Sequence, residues 1–363
     1  SLSVGEPDFN TPDHIKEAAK KAIEDNFSFY SPVVGFLELR KAIAEKLKNE
    51  NGLTYTPAQI VCSNGAKQSL CNVLMAVVGK GDEVLIPAPF WVSYPEMVKI
   101  ADGTPVIIYS DIESDFKITP EQLEAAITPK TKVIMLCSPS NPTGSVYTRE
   151  ELKGLADVLA KYPEIIILSD EIYEHINYLD KHVSIAEFPE VFERTVIVNG
   201  VSKGYAMTGW RLGWIAAPKW IADACNTLQG QYTSNPCTIA QKAAEAAYTG
   251  DQQCVADMRV AFERRKNLVV KMAREIPGLK VNEPKGAFYV FPDCSYYFGK
   301  SHNGTTVNNP EDLALFLLAE AHVACVGGTD FGAPNCIRMS YATSDEKLVE
   351  AFTRIKEALA KLK

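Results

Sequence analysis

The chain has 363 residues, 46% of them hydrophobic, and its 37 basic side chains are outnumbered by 45 acidic ones, which gives a formal net charge of -8. This length is enough for about two domains with a large core. The acidic balance and the lack of a basic stripe argue against a nucleic-acid partner. No apolar stretch approaches the roughly 20 residues of a membrane helix, and residues 1–9 lack the layout of a signal peptide. We therefore expect a globular, cytoplasmic protein that does not bind a membrane.

The cysteines and histidines predict neither a disulfide framework nor a metal site. Nine cysteines are scattered along the chain without a C-x-x-C pair, and several lie in apolar runs, so we expect reduced thiols that serve packing. The five histidines do not occur at the spacing of metal ligands, so we expect no metal. The chain begins at Ser1 instead of a methionine, and we expect a further N-terminal segment in the full protein.

The first half of the chain alternates between helical and strand patterns. Leu39, Ile43 and Leu47 recur at helical spacing, and Asn51-Gly52 predicts the end of that helix. Short, continuously apolar runs follow, which is typical of strands buried on both faces of a parallel sheet. These predicted strands are 60–62, 83–86, 106–109, 133–137, 165–168, 196–198 and 214–216. An α/β fold with a mostly parallel sheet covered by helices is therefore predicted.

The later part of the chain predicts a smaller α+β domain. Residues 236–276 are helical in pattern apart from a break at Thr249-Gly250, and Pro277-Gly278 marks a boundary. We expect a large domain at 31–276 and a small domain built from 1–30 and 277–363. A last helix is predicted from the apolar stripe and from a capping box formed by Thr343 and Glu346. The members of the stripe are Leu348, Phe352, Ile355 and Leu359.

Three of the predicted strands deliver polar side chains at their carboxyl ends. Lys203 follows the strand that ends at Val198, Asn141 follows 132–137, and Asp170 with Tyr173 follows 164–169. In open α/β sheets this edge is where ligands bind, so we expect an amine, a carboxamide, a carboxylate, a phenol and the guanidinium of Arg211, eight residues after Lys203, in one crevice. A lysine at this position is poorly solvated, which favours its neutral, nucleophilic form.

Six motifs in one order resemble those of the pyridoxal-phosphate-dependent aminotransferases of fold type I, and the aspartate aminotransferase class is the most similar. The motifs are Gly65-Ala66-Lys67, Trp91 after Pro87-x-Pro89, Asn141-Pro142-x-Gly144, Asp170-x-x-Tyr173, Ser202-Lys203 with Arg211, and Arg338-x-Ser340-Tyr341. The resemblance covers essentially the whole chain. It implies pyridoxal 5'-phosphate as cofactor, amino acids and 2-oxo acids as substrates, and a homodimer with shared active sites.

The resemblance also implies roles for individual residues. Lys203 would bind the cofactor aldehyde and then move a proton, Asp170 would pair with the pyridine nitrogen, and Asn141 and Tyr173 would hydrogen-bond the ring oxygen. Trp91 would stack on the ring. The phosphate would be held by the amides at the start of a helix and by cationic and hydroxyl side chains, including one from the neighbouring subunit. These residues are Gly65, Ala66, Lys67, Ser202, Arg211 and, from the neighbour, Tyr30.

For the substrate, the resemblance implies that Arg338 clamps the α-carboxylate and that Gly5 lies against the substrate on a mobile segment. Trp91 and Asn141 would also line the substrate pocket. Lys67 has two interpretations, as the partner of a distal carboxylate or as a solvated lysine at a helix start. The reaction predicted is amino-group transfer from aspartate to 2-oxoglutarate in ping-pong half-reactions, with aromatic, alanine or prephenate-type substrates as alternatives.

Two other functions are compatible with parts of the sequence. Gly200-Val201-Ser202-Lys203-Gly204 matches the G-x-S-x-G elbow of α/β-hydrolases, in which Ser202 would be the nucleophile and His302 or His322 the base. That reading leaves Asp170 and Arg211 without a role. A regulator that binds the cofactor without turnover is the second alternative, and it would require a DNA-binding domain.

Overall fold

A computed structural model describes residues 1–363, which form twelve α-helices and twelve β-strands. The helices are α1 Asp13–Glu24, α2 Leu37–Lys46, α3 Ala66–Val77, α4 Ser93–Ile100, α5 Pro120–Ala126, α6 Arg149–Ala160, α7 Pro189–Phe192, α8 Lys219–Tyr232, α9 Thr238–Thr249, α10 Gln253–Arg274, α11 Pro310–Glu320 and α12 Asp345–Leu359. The strands are β1 Ile60–Ser63, β2 Glu83–Pro87, β3 Thr104–Ile108, β4 Thr131–Cys137, β5 Ile166–Asp170, β6 Thr195–Gly200, β7 Gly213–Ala216, β8 Tyr289–Val290, β9 Ser301–His302, β10 Thr305–Thr306, β11 Val326–Gly327 and β12 Ile337–Ser340.

The first seven strands form one sheet in the order β1-β7-β6-β5-β4-β2-β3. Strands β2 to β6 pair in parallel, and β7 is antiparallel to both of its neighbours. All seven predicted strands are therefore confirmed, and the predicted α/β class with a mostly parallel sheet is correct. The connections between the parallel strands run through helices, as parallel pairing requires.

Both faces of this sheet are buried, which explains why its strands read as continuous apolar runs. In β2, Val84 and Ile86 pack on one face with α3, α4 and α8, whereas Leu85 packs on the other face with α5 and α6. The same alternation holds in β4, where Val133 and Ile134 belong to opposite layers. The result is a three-layer arrangement that leaves only the strand ends accessible.

The helix predicted from Leu39, Ile43 and Leu47 is confirmed, with all three side chains buried. It includes α2 and continues as one π-helical segment, Leu47–Asn51, before it ends at Gly52 with φ 72°. The predicted break at Thr249-Gly250 is confirmed as the gap between α9 and α10. The predicted capping box of the last helix is wrong, because the N-cap of α12 is Ser344, whose hydroxyl accepts from the amide of Lys347.

The chain beyond α9 builds a second core around the small sheet β11-β12-β8, with α10, α11 and α12 packed against it. Leu2 joins this core, and its backbone bonds to Ala324 and Ser340 at 2.8 and 2.7 Å. Helix α1 instead packs against α9. None of the helices combines the length and the apolarity that a membrane crossing needs.

Candidate active site

The carboxyl ends of β4, β5 and β6 open into a cavity of about 530 Å³ between the large sheet and the small one. Most of the site residues that were predicted from the sequence line this cavity. They come from the ends of strands, from the starts of helices, and from the N-terminal and C-terminal parts of the chain. They are Gly5, Ala66, Lys67, Trp91, Asn141, Asp170, Tyr173, Ser202, Lys203, Arg211 and Arg338. Gly65 lies immediately behind this wall, against Arg211. Of the predicted residues, only Tyr30 lies away from the cavity, with 90% of its surface exposed.

Lys203 follows β6 and lies on the cavity wall, where its ammonium donates to the carbonyl oxygen of Gly5. Its nitrogen is 5.7 Å from the centroids of the Tyr173 and Phe288 rings. Burial lowers the pKa of Lys203 to about 8, because a desolvated ammonium is disfavoured. Within this net pKa, the carboxylate of Glu6 offsets part of the effect of burial, and the charge of Arg338 adds to it. The neutral amine is therefore a minor but substantial species near physiological pH, about a tenth of the total at pH 7 and about half at pH 8.

Asp170 is the last residue of β5 and is buried on the cavity floor. One carboxylate oxygen accepts the hydroxyl of Tyr94 at 2.6 Å, and the other accepts the amide of Ile172 at 3.2 Å. Burial raises the pKa of Asp170 to about 6, and these two hydrogen bonds hold it below the value that burial alone would give. Asp170 is therefore an ionised, buried acceptor at neutral pH that can pair with a protonated ring nitrogen.

Arg338 on β12 is held with one of its donors free. Its two terminal nitrogens donate to Asn141 Oδ1 and to the carbonyl of Ser3, both at 2.9 Å, while Nε is buried without a partner. The guanidinium lies 4.7 Å from the Tyr289 ring centroid and 4.9 Å from that of Phe331. An arginine fixed by aromatic rings with an unmet donor is suited to a carboxylate ligand.

The opposite end of the cavity is suited to an anion. Gly65 has φ 85° and precedes the first turn of α3, whose residues Ala66 and Lys67 line the cavity together with Arg211, and the free amides of a helix start favour an anion. A Cβ at Gly65 would collide with the Arg211 guanidinium. Arg211 itself has φ 55°, and its guanidinium donates to the carbonyls of Thr208 and Asn64 at 2.9 and 3.3 Å. The start of α3, the Arg211 guanidinium and the Ser202 hydroxyl thus provide the hydrogen-bond donors and the positive charge that bind a phosphate.

Trp91 forms the side wall between these two ends. The Lys67 ammonium lies 4.6 Å from the centroid of the Trp91 ring, and Lys67 is exposed at the cavity mouth. This position keeps an exposed cation at the cavity mouth beside the aromatic wall. Taken together, an amine, a buried carboxylate, an aromatic wall and an anion cradle fit a phosphorylated aromatic aldehyde such as pyridoxal phosphate.

Two tyrosines in the site were missed by the sequence reasoning. Tyr289 shares a 2.9 Å hydrogen bond with Tyr173, and Tyr94 bonds Asp170. Both are fully buried, so each has the sequence pattern of a core aromatic. For Tyr94, the only available signal was its spacing of one helical turn from Trp91.

The hydrolase alternative is wrong, because no histidine lines the cavity that contains Ser202. The two candidate bases lie elsewhere. His302 is in the β9-β10 hairpin, 3.8 Å from Glu320, and His322 lines a different surface depression, beside the start of the chain. Ser202 therefore has no general base.

Comparison with known proteins agrees with this geometry. The family model described as aminotransferase class I and II matches residues 1–355. A bifunctional aspartate aminotransferase and glutamate/aspartate-prephenate aminotransferase from Petunia hybrida is 51% identical over 368 residues, covering 100% of this chain and 77% of that relative. An aspartate/prephenate aminotransferase from Cereibacter sphaeroides is 51% identical, covering 99% of this chain and 91% of the relative.

A solved structure gives the same result for the fold. The crystal structure of the aspartate aminotransferase from Rhizobium meliloti superimposes with a TM-score of 0.97 at 44% identity, covering 100% of this chain and 91% of that one. Matches of this extent and identity go well beyond a shared fold. The chain belongs to the aminotransferase class I and II family.

Proposed function

We propose that this aminotransferase uses pyridoxal 5'-phosphate to transfer the amino group of aspartate to 2-oxoglutarate in two half-reactions. The observation that carries the proposal is the pair of Lys203, an amine with a pKa of about 8, and Asp170, a buried carboxylate, in one cavity with the anion cradle. Amine, ring acceptor and phosphate site are the three contacts by which such a cofactor is held.

When bound, the cofactor supplies an electron-poor ring that takes up the electron pair of the substrate's Cα–H bond. The chain's own residues would do the rest. Asp170 would keep the ring nitrogen protonated, and Asn141 and Tyr173 would hydrogen-bond the ring oxygen. The amine of Lys203 would hold the cofactor aldehyde and would serve as the base that takes up and gives back the proton of the substrate's Cα.

Arg338 and the first residues of the chain would orient the substrate at its α-carboxylate. Arg338 has an unmet donor for the α-carboxylate, and Asn141 already fixes this guanidinium from the side. The backbone of Ser3 and Gly5 closes over the same groups, so this segment would exclude water once the substrate is bound. A fixed carboxylate would place the Cα–H bond perpendicular to the ring and within reach of Lys203.

The cofactor proposal is tested by reconstituting the protein with pyridoxal phosphate, reducing it with borohydride and locating the adduct by mass spectrometry. We expect the adduct on Lys203, with Lys67 as an internal control because it is exposed on the same cavity. Lys203→Ala should abolish both the adduct and the transfer activity. A colourless protein without adduct at Lys203 would overturn the proposal.

The choice of substrate rests on Lys67 at the cavity mouth. Relatives named as aspartate and as aspartate/prephenate aminotransferases support a dicarboxylic donor, and prephenate is a second candidate acceptor. We expect Lys67→Met to raise KM for aspartate and 2-oxoglutarate about ten-fold or more, because a distal carboxylate loses its cation. KM for an apolar amino acid should change less than about two-fold. Equal effects on both donors would show that Lys67 does not read the distal carboxylate.

We also propose that the enzyme is a homodimer in which Tyr30 reaches the phosphate site of the neighbouring subunit. In the single chain, Phe29 and Tyr30 expose 81% and 90% of their surface, which is unusual for adjacent aromatic residues. A location in the cytoplasm stays a prediction.

A further inference from the structure

Tyr94 is the one side chain that donates a hydrogen bond to the carboxylate of Asp170. It lies in the first turn of α4, three residues after Trp91, with 2% of its surface exposed. Its hydroxyl is 2.6 Å from Asp170 Oδ2, and its ring meets the Trp91 ring edge-on with centroids 5.7 Å apart. The same short helix thus connects the aromatic wall of the cavity to the carboxylate on its floor.

We infer that Tyr94 is a positioning residue that orients the Asp170 carboxylate and keeps it ionised for the cofactor's ring nitrogen. The inference rests on the proposed use of pyridoxal phosphate. The direction of this hydrogen bond is fixed, because an ionised carboxylate can only accept a hydrogen bond and the phenol must donate it. Charge-assisted O–H···O hydrogen bonds of this length are among the stronger ones in proteins.

The surroundings of Asp170 explain why such a donor is needed. The Asp170 side chain is buried next to the thiol of Cys137, its partner in the β4-β5 register, and beside the carboxylate of Glu171. Burial and Glu171 both favour the protonated carboxyl, whereas Tyr94, the Ile172 amide and Lys203 favour the carboxylate. Burial also holds the pKa of Tyr94 well above its usual range, so the phenol keeps its proton at any pH at which the enzyme works.

With one oxygen bonded to Tyr94 and the other to the Ile172 amide, rotation of the carboxylate about its χ2 bond is prevented. Because Asp170 lines the cavity, its remaining lone pairs are available to a ring nitrogen bound there. Without the phenol, the carboxylate would both rotate and take up a proton more readily. A protonated carboxyl cannot stabilise a protonated pyridine. Removing the phenol would therefore weaken the interaction between Asp170 and the ring nitrogen of the cofactor.

The test compares Tyr94→Phe with the wild type for two ligands, pyridoxal phosphate and its deaza analogue, in which a C–H replaces the ring nitrogen. Dissociation constants are measured from the quenching of the protein's tryptophan fluorescence, to which Trp91 in the cavity wall contributes. We expect Tyr94→Phe to weaken pyridoxal phosphate binding about ten-fold, the typical effect of a lost hydrogen bond to a charged group. Binding of the analogue should change less than about two-fold, because it makes no bond to Asp170. Loss of packing alone would weaken both ligands equally and would overturn the inference, as would an unchanged affinity for the cofactor.

A matched control variant separates this effect from general damage. Tyr147 is also a buried tyrosine, its hydroxyl accepts the Ile118 amide at 3.0 Å, and it does not line the active-site cavity. Tyr147→Phe should leave both affinities unchanged. If wild-type protein does not bind pyridoxal phosphate at all, the proposed function fails. If the wild type binds it and discriminates against the analogue but Tyr94→Phe behaves like the wild type, only the role of Tyr94 fails.

Discussion

Gly65 allows the Arg211 guanidinium to lie against the start of α3, because no side chain occupies the space between them. We expect Gly65→Ala to weaken binding of pyridoxal phosphate at least ten-fold, since the new methyl group displaces Arg211 and the backbone has φ 85°. Binding of pyridoxal without its phosphate should change much less. Isothermal titration with the two ligands measures the difference.

Gly81 provides the control for this substitution. It has a comparable φ of 97°, but a Cβ there meets no atom within 4 Å. Gly81→Ala should therefore carry only the backbone cost of about 1 kcal/mol in stability and leave both affinities intact. Equal weakening of pyridoxal and pyridoxal phosphate by Gly65→Ala would contradict a phosphate-specific role.

Lys203 can react with an aldehyde only as the neutral amine, and its pKa of about 8 sets the pH dependence of cofactor capture. Below that pKa the neutral fraction falls about ten-fold for each pH unit, and above it the fraction levels off. We expect the rate of pyridoxal phosphate capture by the cofactor-free enzyme to follow this curve. Stopped-flow absorbance between pH 6 and 9.5 measures the rate. A rate that still rises about ten-fold per pH unit up to pH 9.5, as an amine with the ordinary lysine pKa of about 10.4 would give, would contradict the lowered pKa of Lys203.

At the scale of elements, the segment that carries Asp170 and Tyr173 is braced from behind by buried charges. Glu174 forms a salt bridge with Lys46 at the end of α2, and it accepts from Asn51 at 3.0 Å. Asn51 also accepts from Lys46 at 2.8 Å, so the last residue of α2 and the last residue of the π-helical segment Leu47–Asn51 bind the same carboxylate. This brace fixes the backbone on which two of the proposed catalytic groups stand.

Glu174→Gln should lower the free energy of unfolding by about 3 kcal/mol at pH 7, because the buried Lys46 ammonium loses its buried counter-charge and keeps only the partly exposed Glu50 at 3.5 Å. Although burial alone would raise it, Lys46 and two histidines hold the pKa of Glu174 well below its usual range. A lowered pKa means that the ion pair stabilises above the ordinary value of 4.5 and is lost as the pH falls below it. The difference between wild type and variant in urea unfolding should therefore narrow in acid.

The exposed pair of Lys219 and Asp223 on α8, 2.6 Å apart, is the control for Glu174→Gln. Both side chains are about 60% exposed, so Asp223→Asn should cost less than about 0.5 kcal/mol. If the two variants were equally stable at pH 7, Glu174 would not brace the segment.

The elements were largely predictable from the sequence, for a physical reason. Strands buried on both faces are continuously apolar, and the polar residues that follow them, such as Asp170 and Asn141, mark the edge at which the cavity opens. The N-cap of α12 was displaced by one residue because Thr343 and Ser344 are both good caps, and only the backbone conformation selects between them.

The parts of the site that could not be predicted depend on contacts between distant segments. Tyr94 lies 76 positions from Asp170, and the carbonyl that binds Arg338 comes from Ser3, 335 positions away. A buried tyrosine and a backbone carbonyl leave no local pattern that distinguishes them from core residues. Their roles follow only when the tertiary fold is known.

At the scale of the whole molecule, we propose the division into a large domain at 31–276 and a small domain from 1–30 and 277–363. Leu2 packs in the core of the second part, which supports a small domain that includes the start of the chain. Helix α1, residues 13–24, packs against α9 of the large domain. Residues 13–24 are therefore associated with the large domain, whereas Leu2 packs in the core of the small one. The segment that covers Lys203 and Arg338 therefore connects the two parts.

The proposed dimer is tested by combining two variants that are defective for different reasons. Lys203→Ala removes the catalytic amine, and Tyr30→Ala would remove the phosphate contact that each chain offers to its neighbour. If the sites are shared, a mixed dimer contains one site with both residues intact, because Lys203 and Tyr30 then come from different chains. In an equal, co-expressed mixture we expect about a quarter of all sites to bind cofactor like the wild type at limiting pyridoxal phosphate.

The matched comparison is the same two proteins purified separately and combined without exchange of subunits, which should show only the average of the two parents. Light scattering should give a mass of twice the 39.9 kDa of the chain for every sample. If Tyr30 acted within its own subunit, neither site of a mixed dimer would be complete and co-expression would restore nothing. That outcome, or a monomeric mass for the wild type, would contradict shared active sites, because an exposed Tyr30 outside the cavity can contribute to the chemistry only across an interface.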